Sequence, residues 1–316
     1  MPPAQAAVPP VARRRSLRRW LLVAAALFVL LFGGALTALY IYGPYLVIVP
    51  GRLERTFKYP NVTPASAGLD AERCDVEVES GLWLRGWFIH GSGAVRGTVV
   101  LLHGHGSCKE STFPLAKLLA ANGYQSLVYD SRGHGESGGR FCTFGYYEHT
   151  DCSRFMDAAQ SRFPGFGPVA IQGESFGGAV ALQTLAEDRR FRCGIVQSTF
   201  ADLREQVNAD ARAWVHFFEP PLMDTMLRRA GEIAHFPPNT VRPEEAAGAV
   251  RCPVLLIHGT DDRRIPVQNG ERIFAHLHNP GCEWYPVPGA DHGGVWHVGA
   301  ANYEHRALDF LARYEH

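Results

Sequence analysis

Five short and almost wholly apolar runs recur along the chain and constrain its fold more than any other feature. They are 97–104 (GTVVLLHG), 126–133 (SLVYDSRG), 168–175 (PVAIQGES), 194–199 (GIVQST) and 253–259 (PVLLIHG). Continuous apolar runs of this length are typical of strands that are buried on both faces. Amphipathic stretches of helical length, such as 111–123 and 151–163, lie between most of them. This alternation predicts a parallel sheet with helices on both sides.

Three further segments bring the predicted sheet to eight strands. Residues 72–79 (ERCDVEVE) alternate like a half-buried strand, 82–90 (LWLRGWFIH) form its hairpin partner, and 282–289 (CEWYPVPG) form the last strand. Residues 200–251 are too many for a simple crossover, so we expect a small helical insert there that acts as a lid. The prediction is an α/β domain over 72–316, with a mostly parallel, twisted, eight-stranded sheet flanked by helices.

An uncharged run near the N-terminus predicts a membrane anchor. Residues Trp20–Tyr42 would span about 34 Å as a helix, enough to cross a bilayer core. Residues 13–19 (RRRSLRR) precede the run, and the next charged residue is Arg52. By the positive-inside rule the N-terminus is cytoplasmic and the rest of the chain is extracytoplasmic. A cleaved signal peptide is the alternative, although its apolar region is usually shorter, at about 7–15 residues.

These features divide the chain into four parts. They are a basic tail (1–19), a transmembrane signal-anchor helix (20–42), a linker (43–71) and the α/β domain (72–316). The 31 basic residues are balanced by 31 acidic ones, which argues against nucleic acid as a partner.

The seven cysteines form no Cys-x-x-Cys motif, so a zinc or thioredoxin-like site has no support, and we expect neither a metal nor a cofactor. Cys142 and Cys152 are the closest pair for a disulfide in an exported domain. Buried free thiols are the equally open alternative.

The segment GESFGG (173–178) carries the strongest chemical signal. Ser175 ends a predicted strand and begins a predicted helix, and a serine held on such a sharp bend projects its hydroxyl above the sheet. Side chains at Gly173 and Gly177 would collide with neighbouring backbone. Because a serine hydroxyl is a weak nucleophile, it needs a histidine base and an acid that orients this base.

Asp262 and His292 fit these two roles. Each lies in a loop at the carboxyl end of a strand, and parallel strands place such loops at one edge of the sheet. The neighbouring Asp261 and Asp291 are the alternatives for the acid, but Asp291 adjoins the histidine in sequence, which makes a side-chain hydrogen bond awkward.

Acyl transfer also needs donors for an oxyanion, and the backbone N–H groups of Phe176 and His105 are placed to supply them. The histidines 103 and 258, at strand ends, are expected to bond to loop backbone, and His134 to shape a turn.

Five motifs in order resemble those of the α/β-hydrolase superfamily, in its serine hydrolase branch. They are LLHGHG, YDSRGHGESGG, GESFGG, HGTDDRRIP and PGADHGG. The chain is most similar to membrane-anchored or exported esterase-like members, and is related to the catalytic domains of prolyl-oligopeptidase-type enzymes. The resemblance implies Ser175 as nucleophile, Asp262 as acid and His292 as base, and it favours Asp262 over Asp261. It also implies an oxyanion hole formed by His105 and Phe176.

The resemblance implies a membrane-anchored serine hydrolase that cleaves ester or thioester bonds in a small-molecule or lipid-like acyl substrate, without a cofactor. Phe176, Trp214, Phe217 and Phe218 are candidates for an apolar acyl pocket. One alternative is a peptidase or amidase of the prolyl-oligopeptidase type, although the N-terminal region is too short for the propeller of those enzymes. The other is a non-catalytic member that binds a ligand.

Overall fold

The computed structural model describes residues 11–51, 54–214 and 220–314. The chain divides into two compact units, residues 1–45 and 46–316. Helix α1 (Val11–Ile48) makes up most of the described part of the first unit and ends within the second, and the predicted tail lies partly outside the described residues. Within α1, Leu17–Ile48 has a mean hydropathy of 2.5 and is long and apolar enough to be a single membrane span. This segment contains the predicted anchor, Trp20–Tyr42.

The second unit is built on an eight-stranded sheet, as predicted. The strands are β1 (Ala71–Glu79), β2 (Leu82–Ile89), β3 (Gly97–Leu102), β4 (Tyr124–Tyr129), β5 (Val169–Glu174), β6 (Phe191–Gln197), β7 (Val254–Gly259) and β8 (Glu283–Val287). Their order across the sheet is β1-β2-β4-β3-β5-β6-β7-β8. Strand β2 is antiparallel to β1 and β4, and all other neighbours are parallel. The sheet is therefore mostly parallel.

Helices cover the sheet and explain its apolar strands. They are α2 (Phe113–Ala121), α3 (Glu148–Arg162), α4 (Phe176–Glu187), α5 (Leu203–Trp214), α6 (Pro220–Ala234), α7 (Pro243–Ala249), α8 (Gln268–His276) and α9 (Val295–Ala312). On β3, Val100 and Leu102 belong to one buried cluster, whereas Val99 and Leu101 belong to another. Because successive strand side chains point to opposite faces, the sheet has an apolar layer on each side.

The long crossover is helical. Helices α5, α6 and α7 lie within residues 200–251, and α7 packs against α4 and α8. Of the predicted pocket residues, Phe217 and Phe218 lie outside the described residues, as does the side chain of Trp214.

Part of the predicted linker contributes to the domain core. Ile48 and Leu69 are buried, and the backbone carbonyl of Ile48 accepts the N–H of Cys142 at 2.8 Å. The physical reason is that Ile48 is an apolar side chain within the sheet domain's core cluster, with Val47 packed against that cluster, and this burial removes apolar surface from water.

All seven cysteines are free thiols. Cys142 and Cys152 are both buried, and neither forms a disulfide. The sequence leaves open a disulfide between Cys142 and Cys152 or buried free thiols, and the structure shows buried free thiols.

Candidate active site

Ser175 is held in a strained conformation between β5 and α4. Its φ of 56° and ψ of −117° lie where residues other than glycine are rare, at a cost of about 1–3 kcal/mol. Two hydrogen bonds hold it there. Its N–H donates to the carbonyl of Gln197 at 2.8 Å, and its carbonyl accepts the hydroxyl of Thr199 at 2.7 Å. The loop after β6 thus braces the bend that presents Ser175.

Two glycines permit this bend, for the steric reason predicted from the sequence. A Cβ on Gly173 would lie 2.1 Å from the carbonyl oxygen of Gly177. A Cβ on Gly177 would lie 2.4 Å from the carbonyl oxygen of Leu102. Both distances are far shorter than any van der Waals contact, so a side chain at either position would force the backbone to move.

The structure brings Ser175, His292 and Asp262 into one hydrogen-bonded chain. Asp262 follows β7 and His292 follows β8, and these two strands are parallel neighbours. Nδ1 of His292 lies 2.7 Å from Oδ2 of Asp262, and Nε2 lies 3.0 Å from Oγ of Ser175. Because a carboxylate only accepts, Nδ1 carries the hydrogen, and Nε2 is left to accept the hydroxyl proton of Ser175.

The two alternative acids lie outside this chain of hydrogen bonds. Asp261 is exposed and accepts the hydroxyl of Thr260 at 3.1 Å. Asp291 is also exposed. Among the described residues, Asp262 is the carboxylate in contact with His292.

The surroundings of Asp262 keep it ionised. Burial alone would raise the pKa of this carboxyl, but hydrogen bonds from His258 and His292 hold its pKa well below the usual range. Its second oxygen accepts the backbone N–H groups of Arg264 at 3.0 Å and Ile265 at 2.8 Å. The carboxylate therefore presents a fixed negative charge to His292.

The loop after β3 and the start of α4, which carry the two predicted oxyanion donors, border Ser175. A Cβ on Gly104 would lie 3.9 Å from Cβ of Ser175, which places the loop after β3 beside the serine. The ring centroids of His105 and Phe176 are 6.2 Å apart. Phe176 is the first residue of α4, where backbone N–H groups have no partner within the helix. Burial lowers the pKa of His105 to about 4, so its imidazole is neutral near pH 7.

Helix α5 contributes two polar side chains that sequence reasoning missed. Nε2 of Gln206 donates to Asp210 at 3.0 Å and to the carbonyl of Arg264 at 3.2 Å, which ties α5 to the loop that carries Asp262. Burial raises the pKa of the Asp210 carboxyl, and the nearby charges of Arg264 and His292 offset part of this rise. No sequence motif marks these residues, because the position of α5 above the sheet is a tertiary property.

The remaining strand-end histidines brace loops, as expected. Nδ1 of His103 contacts the carbonyl of Gly104 at 2.8 Å, and its Nε2 accepts the N–H of Ser131 at 3.0 Å. Nε2 of His258 lies 2.8 Å from the carbonyl of Ile265. His134 contacts the carbonyl of Arg132 within its own turn, at 2.9 Å.

A surface cavity of about 370 Å³ lies away from this site. Its lining includes Arg189 and Arg251, which precede β6 and β7. It therefore lies at the amino ends of the strands, whereas Ser175, Asp262 and His292 lie at their carboxyl ends.

Fold, site geometry and sequence comparison together define the class of protein. Residues 93–239 match the sequence profile of the family described as "Serine aminopeptidase, S33". The uncharacterized protein Rv2307c of Mycobacterium tuberculosis is 30% identical over 252 residues, which cover 78% of this chain and 83% of that protein. The chain belongs to the α/β-hydrolase superfamily.

Solved structures give the same fold. The esterase Pf2001 of Pyrococcus furiosus superposes with a TM-score of 0.69 at 23% identity, covering 81% of this chain and 96% of that one. The acylaminoacyl peptidase of Pyrococcus horikoshii superposes with a TM-score of 0.58 at 18% identity, covering 83% of this chain and 43% of that one. Esterases and peptidases are therefore both among the proteins with this fold.

Proposed function

We propose that this protein is a membrane-anchored serine hydrolase that cleaves ester or thioester bonds through Ser175, His292 and Asp262. The observation that carries the proposal is the hydrogen-bonded chain from Ser175 Oγ through His292 to Asp262, with distances of 3.0 and 2.7 Å. A neutral imidazole with Nε2 facing a serine hydroxyl, and a buried carboxylate behind it, is the arrangement that activates a serine for attack.

In the first step, Oγ of Ser175 attacks the acyl carbonyl while Nε2 of His292 takes the hydroxyl proton. The negative charge on the carbonyl oxygen is stabilised by the N–H groups of Phe176 and His105, and each such donor is worth about 3–4 kcal/mol. His292 then gives its proton to the leaving alkoxide or thiolate, and an acyl-serine remains.

In the second step, water takes the place of the leaving group. Nε2 of His292 removes a proton from this water, whose oxygen attacks the acyl carbonyl. The tetrahedral intermediate uses the same two N–H groups, and its collapse releases the carboxylic acid while the proton returns to Oγ of Ser175. The negative charge of Asp262 stabilises the imidazolium that forms in both steps.

An alkyl fluorophosphonate probe tests this proposal directly, because it phosphonylates an activated serine. We expect covalent labelling of the wild type, loss of labelling in Ser175→Ala, and full labelling in Ser161→Ala, which changes an exposed serine of α3. An unlabelled wild type would instead favour the alternative that this protein is a non-catalytic member of the superfamily that binds a ligand. Labelling that survives in Ser175→Ala would place the nucleophile elsewhere.

The second candidate function is hydrolysis of amide bonds, and the description of the matched family as serine aminopeptidases favours it. Esters and aminoacyl amides of the same acyl group separate the two candidates. We expect kcat/KM to be higher for the esters than for the matching amides, across a series of graded acyl lengths. A higher kcat/KM for aminoacyl amides would assign the peptidase function.

We also propose that α1 anchors the protein with its N-terminus in the cytoplasm and its hydrolase domain outside it. The proposal is supported by the arginines of 13–19 and the apolar stretch Leu17–Ile48. Reporters fused to the C-terminus test the topology. A reporter that is active only outside the cytoplasm should give signal, and signal from a cytoplasm-specific reporter would refute this orientation.

A further inference from the structure

Two histidines and one cysteine converge beneath the loop that follows β3. One ring nitrogen each of His105 and His134 and Sγ of Cys142 all lie within 4.8 Å of one another. His134 and Cys142 are completely buried. The proposed hydrolysis uses neither the imidazole of His105 nor any atom of the other two residues. The three residues come from separate turns, so their convergence is a product of the fold.

The hydrogen bond of His134 sets the tautomer of its ring. Nδ1 lies 2.9 Å from the carbonyl oxygen of Arg132, which can only accept, so Nδ1 carries the hydrogen. Nε2 therefore has a lone pair. Metal-binding histidines use this arrangement, in which one nitrogen donates to a carbonyl or carboxylate and the other binds the ion.

His105 supplies a second nitrogen atom that could bind an ion. Its Nε2 is buried and has no hydrogen-bond partner among the residues that the structure describes. A buried polar atom without a partner costs about 1–3 kcal/mol. Its ring stacks on Phe144, with centroids 5.3 Å apart and 13° between the planes, so aromatic packing fixes the ring.

We propose that His105, His134 and Cys142 bind one borderline transition-metal ion of the Zn²⁺ class. Two imidazoles and a thiolate are ligands that Zn²⁺ prefers, with bond lengths of about 2.0–2.3 Å. In tetrahedral geometry these lengths place neighbouring ligand atoms about 3.3–3.8 Å apart, and here the three atoms lie within 4.8 Å of one another. As the metal–sulfur bond forms, the thiol of Cys142 loses its proton to solvent, and the oxidation state of the ion does not change.

Occupancy of this site would affect the loop after β3, which carries His105. This consequence rests on the proposed function. The backbone N–H of His105 is one of the two proposed oxyanion donors, and its imidazole is one of the proposed metal ligands. Contraction of the ligands around an ion displaces His105 relative to Ser175. We therefore expect metal binding to lower kcat and leave the fold unchanged.

Co²⁺ titration of the full-length protein in detergent tests the metal site without any activity measurement. We expect one equivalent of Co²⁺ to give a thiolate-to-cobalt charge-transfer band, and Zn²⁺ to abolish this band by displacement. Cys142→Ser should lose the band. Cys193→Ser, which changes a buried cysteine of β6 outside the cluster, should keep it.

A second measurement uses wild-type protein alone and covers the case in which Cys142→Ser fails to fold. Bound Zn²⁺ should protect Cys142 selectively from alkylation during partial unfolding, as read by mass spectrometry. A wild type that gives no thiolate band, a band that persists in Cys142→Ser, or protection of a different cysteine would each overturn the proposal. Fluorophosphonate labelling of the metal-free protein tests the hydrolase separately, so the two proposals can fail independently.

Discussion

Asp262 and His292 are 30 residues apart in the chain, yet Oδ2 of the aspartate lies 2.7 Å from Nδ1 of the histidine. The other carboxylate oxygen is occupied by the backbone N–H groups of the loop that carries it. The loop thus fixes the carboxylate, and the carboxylate fixes the imidazole. The orientation of the base is set by the loop after β7.

Asp262→Asn should lower kcat by about 10⁴-fold, because the amide stabilises the wrong imidazole tautomer and carries no charge. KM should change little, since Asp262 makes no contact with substrate in the proposed mechanism. The measurement is steady-state hydrolysis of a chromogenic ester at pH 7–8.

Asp261→Asn is the matched control, since it changes the adjacent, exposed carboxylate. It should keep wild-type kcat. A loss of less than about tenfold in Asp262→Asn, or equal losses in both variants, would contradict the role proposed for Asp262.

The lowered pKa of Asp262 makes part of the stability depend on pH. Its carboxyl is ionised more readily in the folded protein than in the unfolded chain, whose pKa is near 3.8. The group therefore stabilises the fold above about pH 4, and this contribution is lost as the pH falls through the lower, folded-state pKa. The free energies of unfolding of wild type and Asp262→Asn should differ by a constant amount between about pH 7 and 5, and should converge only as the pH falls below about 4.

Urea unfolding at several pH values, followed by circular dichroism, measures this convergence. A difference between the two proteins that stays constant below about pH 4, or that widens there, would show that the pKa of Asp262 is not lowered in the fold.

Gly177→Ala should destabilise the protein by about 2–4 kcal/mol, because its Cβ would lie 2.4 Å from the carbonyl oxygen of Leu102. Gly248→Ala is the matched control, since it also lies in a helix but its Cβ would meet its nearest neighbour at 4.0 Å. That substitution should stabilise the fold by about 0.5–1 kcal/mol. Thermal unfolding compares the two, and similar shifts in Tm would contradict the steric explanation.

The cysteines should react with iodoacetamide in a defined order. Burial raises the pKa of Cys74 and Cys252 to about 11 and that of Cys193 to about 12, so few thiolates form at any of these sites near pH 8 and accessibility decides the order. Cys252 and Cys282 are only half-buried and should be modified first. Mass spectrometry of native protein gives the order.

Denatured protein without reductant is the control, and it should gain seven alkyl groups. A smaller number would indicate a disulfide. Modification of Cys74 or Cys193 before the half-buried pair would contradict the burial described for these thiols.

The sequence predicted the strands and the site loops because their signals are local. The continuous apolar runs follow from burial on both faces, and the polar residues after each run follow from the common edge that parallel strands share. It did not predict the bonds of Gln206, which depend on where α5 lies above the sheet. Nor could spacing predict that His105, His134 and Cys142 converge, because each comes from a different turn.

The linker shows a different limit. The prolines and glycines within 43–71 predict a linker between anchor and domain, because composition of this kind is common in loops. Whether a residue of such a segment is also buried depends on a complementary apolar surface elsewhere in the chain. Here Ile48 belongs to a buried apolar cluster of the domain core. That surface is assembled from β1, α3 and other distant parts of the chain, so no window of sequence contains it.

The hydrogen-bonded chain of Ser175, His292 and Asp262 joins segments that are 117 and 30 residues apart. The histidine comes from the loop after β8, which follows the other seven strands of the sheet in the chain. An unfolded chain therefore has no base near its serine. The three side chains meet only in the folded domain, so turnover in the proposed reaction would report complete folding.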